Sequence, residues 1–126
     1  MNNLPNVITL NRNGDFRRMY ARGKSYANPV LVTYVMKNRA GVCRIGITAS
    51  KKIGNAVERN RARRVIRAAY ANILPKINGA WDIVFVARGR TGKCKSSHIE
   101  RTMEKHLVAA GLINKDAQSK NKEIGV

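Results

Sequence analysis

Apolar positions recur with helical spacing in three parts of the chain. The first is the segment 15–22, where Phe16, Met19 and Tyr20 fall at i, i+3 and i+4 and Gly23 follows as a stop. This pattern predicts a short helix over 15–22, preceded by polar residues and carrying one apolar face.

The second helical pattern begins after Asn55. Asn55 and Glu58 are spaced as a reciprocal capping pair, and Pro75 sets a limit beyond which a helix should not run. Between these signals lies an apolar stripe at helical spacing, which predicts a long amphipathic helix: Ala62, Val65, Ile66, Ala69, Tyr70 and Ile73.

A third helix is predicted after Lys95. Ser97 and Glu100 have the spacing of a capping pair, and Gly111 is placed to end the helix. The apolar residues that share one face of this helix are Ile99, Met103, Leu107 and Ala110.

Three runs rich in β-branched and aromatic residues predict strands. Val30–Met36 and Cys43–Ala49 are separated by a turn over Asn38–Gly41, which favours an antiparallel hairpin. Trp81–Ala87 is apolar at successive positions, so we expect a strand that is buried on both faces and central in the sheet.

The order helix, strand, strand, helix, strand, helix predicts an α+β fold in which three helices cover a small sheet of about four strands, as a two-layer sandwich. The length favours one domain, which we place at 1–113. The polar segment 114–126 lacks an apolar period and is predicted to be a disordered tail.

The charge balance indicates what class of partner the chain binds. The chain has 25 Lys and Arg against 7 Asp and Glu, a net charge of +18. Such an excess repels itself unless a polyanion neutralises it, which makes nucleic acid the leading partner. No apolar run has membrane-spanning length and the first residues do not form a signal peptide, so we expect a cytoplasmic protein that does not bind membranes.

The residue inventory does not favour catalysis by this chain alone. Cys43 and Cys94 lack metal-site spacing and are read as reduced packing thiols. His98 and His106 could be a general acid and base, but the simpler interpretation is a solvated or partly packed pair. The seven acidic residues are scattered, whereas a two-metal nuclease needs clustered carboxylates. We assign no catalytic and no metal-binding residue.

The second predicted helix and the loop before it concentrate positive charge. One acidic residue, Glu58, stands among seven basic ones: Lys51, Lys52, Arg59, Arg61, Arg63, Arg64 and Arg67. At about 100° per residue, Asn60, Arg63, Arg64 and Arg67 lie opposite the apolar stripe, flanked by Arg59 and Arg61. A solvated basic face would look the same, but the sparse acids and overall charge favour RNA binding.

These residues resemble a known signature. The stretch 51–57, followed by Arg59-Asn60-Arg61-Ala62-Arg63-Arg64 and Arg67, resembles the RNR motif of the bacterial ribonuclease P protein family. The similarity extends to Asp15-Phe16 and Gly23, to 44–48, and to Asp82-Ile83-Val84 with Ala87-Arg88. The chain departs from the family pattern at Arg63, where Lys is frequent, and at Tyr20, where Phe is frequent, but both keep the charge or the ring.

The resemblance implies a role and a set of site residues. It implies the protein subunit of an endonuclease whose RNA subunit, with Mg²⁺, hydrolyses the 5′ leader from precursor tRNA, without an obligate protein partner. It also implies a left-handed strand-helix-strand crossover, contrary to the general right-handed rule. The residues expected to bind the RNA subunit are Lys51, Lys52, Asn55, Arg59, Asn60, Arg61 and Arg64. Those expected to bind the leader are Phe16, Tyr20, Tyr34, Arg63 and Arg67.

Two alternatives stay open on sequence grounds. The chain could be a structural, ribosomal-type RNA-binding protein with no role in cleavage, or a nuclease in its own right. The loop from Gly89 to Lys95 is basic and contains glycine, but no role is assigned to it.

Overall fold

The structure is a computed structural model that describes residues 8–10 and 12–114. Its main elements, in chain order, are β1 (Ile8–Thr9), α1 (Asn13–Arg22), β2 (Lys24–Asn28), β3 (Leu31–Lys37), β4 (Arg44–Thr48), α2 (Ala56–Ile73), β5 (Trp81–Ala87) and α3 (Ser96–Ala110).

The strands form one mixed sheet in the order β1-β4-β5-β3-β2. β5 runs parallel to β4 and antiparallel to β3, and β2 pairs antiparallel with β3 at one edge. Ile83, Val84 and Phe85 are fully buried although they alternate between the two faces. The prediction of a central strand buried on both faces is therefore confirmed.

The predicted hairpin between the strands at 30–36 and 43–49 is wrong. The strands exist, as β3 and β4, but β5 lies between them and pairs with both. The turn after β3 does form, with the Ala40 amide donating to the side-chain oxygen of Asn38. A strand that is apolar on both faces is most stable with a neighbour at each edge, and this long-range requirement decides the pairing over the local turn.

The two faces of the sheet carry different helices. α2 and α3 cover one face, where Ile45, Ile83, Phe85, Leu31 and Val35 join the helix residues in the main core. α1 lies on the other face and closes a smaller cluster, whose buried members are Leu10, Met19 and Val84.

The α+β class is confirmed. The sheet, α2 and α3 form the two expected layers, α1 covers part of the opposite face, and four of the strands have five to seven residues. The predicted order omitted β1 and β2, because β1 has only two residues and the polar β2 is half-exposed at an edge. β4, α2 and β5 form the parallel crossover, and its left hand stays a prediction.

Three predicted helix ends agree with the structure, and one does not. α2 begins after Asn55 and ends at Ile73, before Pro75, and Gly111 ends α3 with a left-handed φ of 90°. The capping pair predicted at Ser97 and Glu100 is wrong. α3 starts at Ser96 after Lys95 without a side-chain cap, so Ser97 lies inside the helix, and the Glu100 carboxylate accepts a hydrogen bond from Asn72 of α2 at 2.9 Å.

Three further predictions concern the cysteines, membrane-spanning helices and the carboxyl-terminal tail. Cys43 and Cys94 are half-buried free thiols, as expected. No helix in the described residues is long and apolar enough to cross a membrane. The tail predicted at 114–126 lies outside the described residues except for Asn114.

Candidate RNA-binding surface

The amino terminus of α2 is built by a complete capping box. The Glu58 amide donates to the Asn55 side chain at 2.9 Å, and the Asn55 amide donates to the Glu58 carboxylate at 3.0 Å. The Asn55 and Glu58 side chains therefore both accept a hydrogen bond within the capping box, and the predicted capping pair is confirmed. Asn55, an expected RNA-binding residue, is therefore first a helix cap, and the only acidic residue among the arginines is occupied.

The loop before α2 bends at Gly54, whose φ is 144°. A side chain there would collide with the Glu58 carboxylate, so the capping box requires glycine at this position. The Arg59 guanidinium donates to the Gly54 carbonyl at 2.7 Å and is half-buried. Arg59 thus braces the loop that carries Lys51 and Lys52, which leaves only part of its guanidinium for RNA.

The other basic side chains of this region point to solvent or lie at its edge. Lys51, Lys52, Asn60, Arg61 and Arg64 are exposed. Arg63 and Arg67 are half-buried, and Arg63 donates to the Asn60 side chain at 3.3 Å.

In the described part of the chain, no ion pair involves an arginine of α2. Carboxylates elsewhere are engaged by other cations, such as Asp82 by Arg44 and Glu104 by Lys76. The positive charge of α2 is therefore left for an external polyanion, and planar guanidinium groups suit phosphate oxygens. We call the exposed side chains of 51–64 the arginine surface.

A second basic segment lies beside the arginine surface, and the sequence did not assign it a role. The buried Thr91 hydroxyl donates to the Val30 carbonyl at 2.6 Å and accepts from the Arg88 amide, which anchors the loop after β5. Gly92 of this loop packs against Ala62 of α2, and Lys93 lines a small cavity with Arg61. The basic, glycine-containing composition was the signal, but only the fold shows that the loop adjoins α2.

The aromatic residues expected to bind the leader do come together, on the α1 face of the sheet. The Tyr20 and Tyr34 rings meet edge to face with their centres 5.0 Å apart. Tyr20 is 44% exposed, and Phe16 and Tyr34 are half-buried. Rings that are packed on one side and open on the other can stack with unpaired bases. We call Phe16, Tyr20 and Tyr34, with the sheet surface around them, the aromatic cleft.

Gly46 explains how the Phe16 ring reaches the sheet. Gly46, Val84 and Tyr34 occupy one row across β4, β5 and β3. A Cβ atom at Gly46 would lie 2.6 Å from the Phe16 ring, so the missing side chain makes the space that the ring fills. This glycine shapes the cleft, although nothing in its local pattern identified it.

A buried charge network connects α1 to the sheet next to the cleft. Asp82 is 1% exposed and accepts from Arg44 Nε and from Asn38, both at 2.8 Å. A second bond from Arg44 makes the pair bidentate, and the hydrogen bond to Asp82 raises the pKa of Arg44. Arg18 of α1 lies 3.7 Å from Asp82 and 3.1 Å from Asp15. The sequence showed scattered acids, whereas the fold joins two of them through Arg18.

Arg63 and Arg67 do not lie on the same face as the aromatic cleft. They belong to α2, whose buried residues pack on the face opposite α1. Their half-burial places them at the side of α2, away from its fully exposed arc. A leader that touches both groups would have to pass the edge of the sheet, so their shared role stays a prediction.

The described residues offer no catalytic constellation. His98 is exposed, whereas His106 is buried, with its Nδ1 2.8 Å from the Thr33 hydroxyl oxygen. Burial lowers the pKa of His106. This pair is one solvated and one packed residue, as interpreted from the sequence.

No group of three or more His, Cys, Asp or Glu in the described chain could hold a metal ion. The buried carboxylate of Asp82 is already neutralised by Arg44. The donor set therefore does not fit a resident Mg²⁺.

Comparisons with known proteins agree with this geometry. The sequence model of the Ribonuclease P family matches residues 4–111. The ribonuclease P protein component of Clostridioides difficile strain 630 is 45% identical over 100 residues, covering 79% of this chain and 87% of that protein. The corresponding protein of Clostridium novyi strain NT is 43% identical over 107 residues, 83% of this chain and 95% of that one.

Solved structures show the same similarity. The RNase P protein of Staphylococcus aureus superimposes with a TM-score of 0.75 at 35% identity, covering 86% of this chain and 99% of that one. The RNase P protein of Thermotoga maritima gives a TM-score of 0.70 at 25% identity, covering 79% and 94%.

Proposed function

The chain belongs to the ribonuclease P protein family and serves as the protein subunit in tRNA 5′ processing, and from that premise we propose how its two surfaces divide the work. The arginine surface binds the ribonuclease P RNA subunit, and the aromatic cleft binds the single-stranded leader of precursor tRNA. The observation that carries the proposal is the separation of two groups: arginines of α2 that form no ion pair within the described residues, and half-open rings on the opposite face.

Binding to the RNA subunit is then dominated by phosphate contacts. If about five or more phosphates are neutralised, the log-log salt dependence of the affinity has a slope steeper than roughly −3. Arg61→Met and Arg64→Met should reduce that slope by about one each. A nearly flat salt dependence would contradict this assignment.

Arg59→Met is expected to act differently from Arg61→Met. Because Arg59 braces the Gly54 carbonyl, its loss should loosen the loop before α2 as well as remove a charge. Amide hydrogen exchange at 51–55 separates the two: it should rise in Arg59→Met and stay unchanged in Arg61→Met.

The leader proposal is supported by the open Tyr20 and Tyr34 rings, since aromatic rings accept unpaired bases with little sequence preference. Tyr34→Ala should weaken precursor tRNA binding by the assembled enzyme roughly five- to a hundredfold, from about 1–3 kcal/mol per stacked base. Mature tRNA has no leader, so its binding should stay nearly unchanged, as should assembly with the RNA subunit.

Arg67→Ala tests whether α2 contributes to the same contact. A loss restricted to precursor tRNA would place Arg67 on the leader path in spite of its position on the opposite face. Equal losses for precursor and mature tRNA, in folded variants that still assemble, would show that neither Tyr34 nor Arg67 binds the leader.

We assign hydrolysis to the RNA subunit, with Mg²⁺ held outside this chain, because the described carboxylates do not form a metal site. Incubating precursor tRNA with the purified chain, with and without the RNA subunit, tests this. Cleavage by the chain alone would favour a protein nuclease. No effect on cleavage when the RNA subunit is present would favour a purely structural RNA-binding protein.

A further inference from the structure

A cavity of about 270 Å³ lies at the end of the sheet where α1 and α3 both terminate. Three cations surround it: Arg22 at the end of α1, Lys24 at the start of β2, and Lys37 at the end of β3. Val35, Met36 and the Trp81 ring supply apolar walls. The cavity thus combines converging positive charge with an aromatic surface.

The cations of this cavity are not neutralised within the described chain. The ion pairs of the described residues use Arg18, Arg44 and Lys76, but not the three cavity cations. All three side chains are exposed, and Arg22 and Lys24 have no ion pair to lose in the described chain, whereas Lys37 would exchange its contact with the Trp81 ring for the ligand. A ligand that contacts all three cations would be an anion placed between them.

The Trp81 ring is held in place as one wall. Its indole N–H donates to the Asn78 carbonyl at 2.9 Å, which sets the ring orientation. Lys37 lies opposite Trp81 in the β3–β5 register, with its Nζ 5.7 Å from the ring centre. A cross-strand cation–π pair alone would explain Lys37, but it does not explain why Arg22 and Lys24 line the same cavity.

The position of the cavity suggests its occupant. Arg22 follows Tyr20 by two residues on α1, and Lys37 follows Tyr34 by three residues on β3. At about 3.3 Å per strand residue, Lys37 lies about 10 Å along β3 from Tyr34. Lys24, Val35, Lys37 and Trp81 share the face of the sheet that α3 covers, whereas Tyr34 lies on the α1 face. A leader that leaves the aromatic cleft would therefore reach the cavity around the end of the strands, beside Arg22. The cavity lies at the opposite end of the strands from the loop 51–54, so it is separate from the arginine surface.

We propose that this cavity binds a nucleotide of single-stranded RNA, with the base against Trp81 and the phosphate between the three cations, and that its occupant is the leader upstream of the aromatic cleft. The chemistry is that of other single-strand sites, in which rings stack with bases and basic side chains follow the backbone. The choice of the leader as occupant rests on the proposed function, whereas the affinity for single-stranded RNA does not.

Trp81 is the only tryptophan of the chain, so its fluorescence reports on the cavity directly. The full chain is titrated with a short single-stranded RNA oligonucleotide, while the anisotropy of a label on the RNA follows total binding. We expect a saturable change in Trp81 emission. Lys37→Met and Lys24→Met should weaken that transition, and Lys105→Met, which removes an exposed lysine of α3 outside the cavity, should leave it unchanged.

Inorganic polyphosphate provides the matched probe without bases. It should bind the protein but change Trp81 emission far less than RNA does. An unchanged emission when anisotropy shows that the protein is saturated with RNA would overturn the cavity as a nucleotide site. An equal response to polyphosphate would overturn the base-binding part of the proposal.

The occupant is tested with the assembled enzyme and precursor tRNAs whose leaders are extended one nucleotide at a time. Tyr34→Ala should weaken binding once the leader reaches the aromatic cleft. Lys37→Met should act only on longer leaders, and there it should reduce the salt slope by about one.

The results separate the two proposals. If Tyr34→Ala weakens precursor tRNA binding but Lys37→Met weakens it at no leader length, the cavity does not hold the leader and the cleft assignment stands. If Lys37→Met acts at every length, including mature tRNA, its charge works through another contact and the cavity assignment fails. If Tyr34→Ala acts at no length, the cleft assignment fails, and a fluorescence change that is lost in Lys37→Met would still support the cavity.

Discussion

The two faces of the sheet are built for different tasks. The face under α2 and α3 is a continuous apolar core in which Ile66, Ile83 and Phe85 are fully buried. The face under α1 has a small apolar cluster, a half-open pair of rings and the buried Asp82 network. Burial of apolar area stabilises the fold from one side, so the other side can keep rings and cations partly exposed for a ligand.

The helices on the two faces also differ in how many of their residues are buried. α2 buries Ala62, Ile66, Ala69, Tyr70 and Ile73, whereas α1 buries only Met19 completely. α1 buries less apolar area and is also held by the Arg18 contacts with Asp15 and Asp82 and by the packing of Phe16 over Gly46. Substitutions on the first face should act on folding, and those on the second face on leader binding.

The largest effect is expected from a charge in the main core. Ile66→Asp buries an unpaired carboxylate and should lower the free energy of unfolding by more than about 3 kcal/mol, a large part of the roughly 5–15 kcal/mol that stabilises a whole domain. Val57→Asp is the matched control, because Val57 lies on the same helix and is 73% exposed. Circular dichroism during thermal unfolding measures both. Equal melting temperatures for Ile66→Asp and Val57→Asp would show that this face is not the main source of stability.

A smaller effect is expected at the floor of the aromatic cleft. Gly46→Ala pushes a methyl group into the Phe16 ring and should lower the free energy of unfolding by about 1–3 kcal/mol, measured by urea denaturation. The displaced ring should also reduce the preference for precursor over mature tRNA. Gly14→Ala, on α1 with open space around it, should leave both measurements nearly unchanged or add a little stability. Equal behaviour of the two variants would contradict the proposed packing.

Arg17 and Arg18 are neighbours on α1, and substituting each in turn tests whether the ion pairs of Arg18 position the helix. Arg18→Met removes the ion pairs to Asp15 and Asp82 and should speed hydrogen exchange of the α1 amides, with up to about a fivefold loss of precursor preference. Arg17→Met removes an exposed cation and should leave exchange and preference unchanged. Identical exchange in the two variants would show that Arg18 does not position α1.

The smallest effect is a pH dependence on the core face. Burial lowers the pKa of His106 below its ordinary 6.5, so the unfolded chain takes up a proton more readily than the folded one. The stability contributed by neutral His106 is complete above pH 6.5 and is lost as the pH falls from 6.5 through the lowered folded pKa. His106→Gln should reduce this slope of unfolding free energy with pH, while exposed His98→Gln should preserve it. The same slope in both variants would contradict the assignment.

Local patterns determined much of this protein. The α2 stripe, its Asn55–Glu58 cap and its end before Pro75 depend on contacts within about one or two helical turns, and all are confirmed. The two-sided burial of β5 was evident from its unbroken apolar run. The exposure of Arg61 and Arg64 was also predictable, because an amphipathic helix places charged residues away from its core stripe, whereas the half-burial of Arg59, Arg63 and Arg67 was not.

Only the tertiary structure decided which distant elements meet. It placed β5 between β3 and β4 and added the polar edge strand β2. It paired Glu100 with the Asn72 side chain of α2, where the sequence had predicted a helix cap. It also brought Arg18, Arg44 and Asp82 together and gathered three cations around Trp81. These contacts join residues far apart in the chain, and their stability depends on burial and on the closure of long loops, which no local period of the sequence encodes.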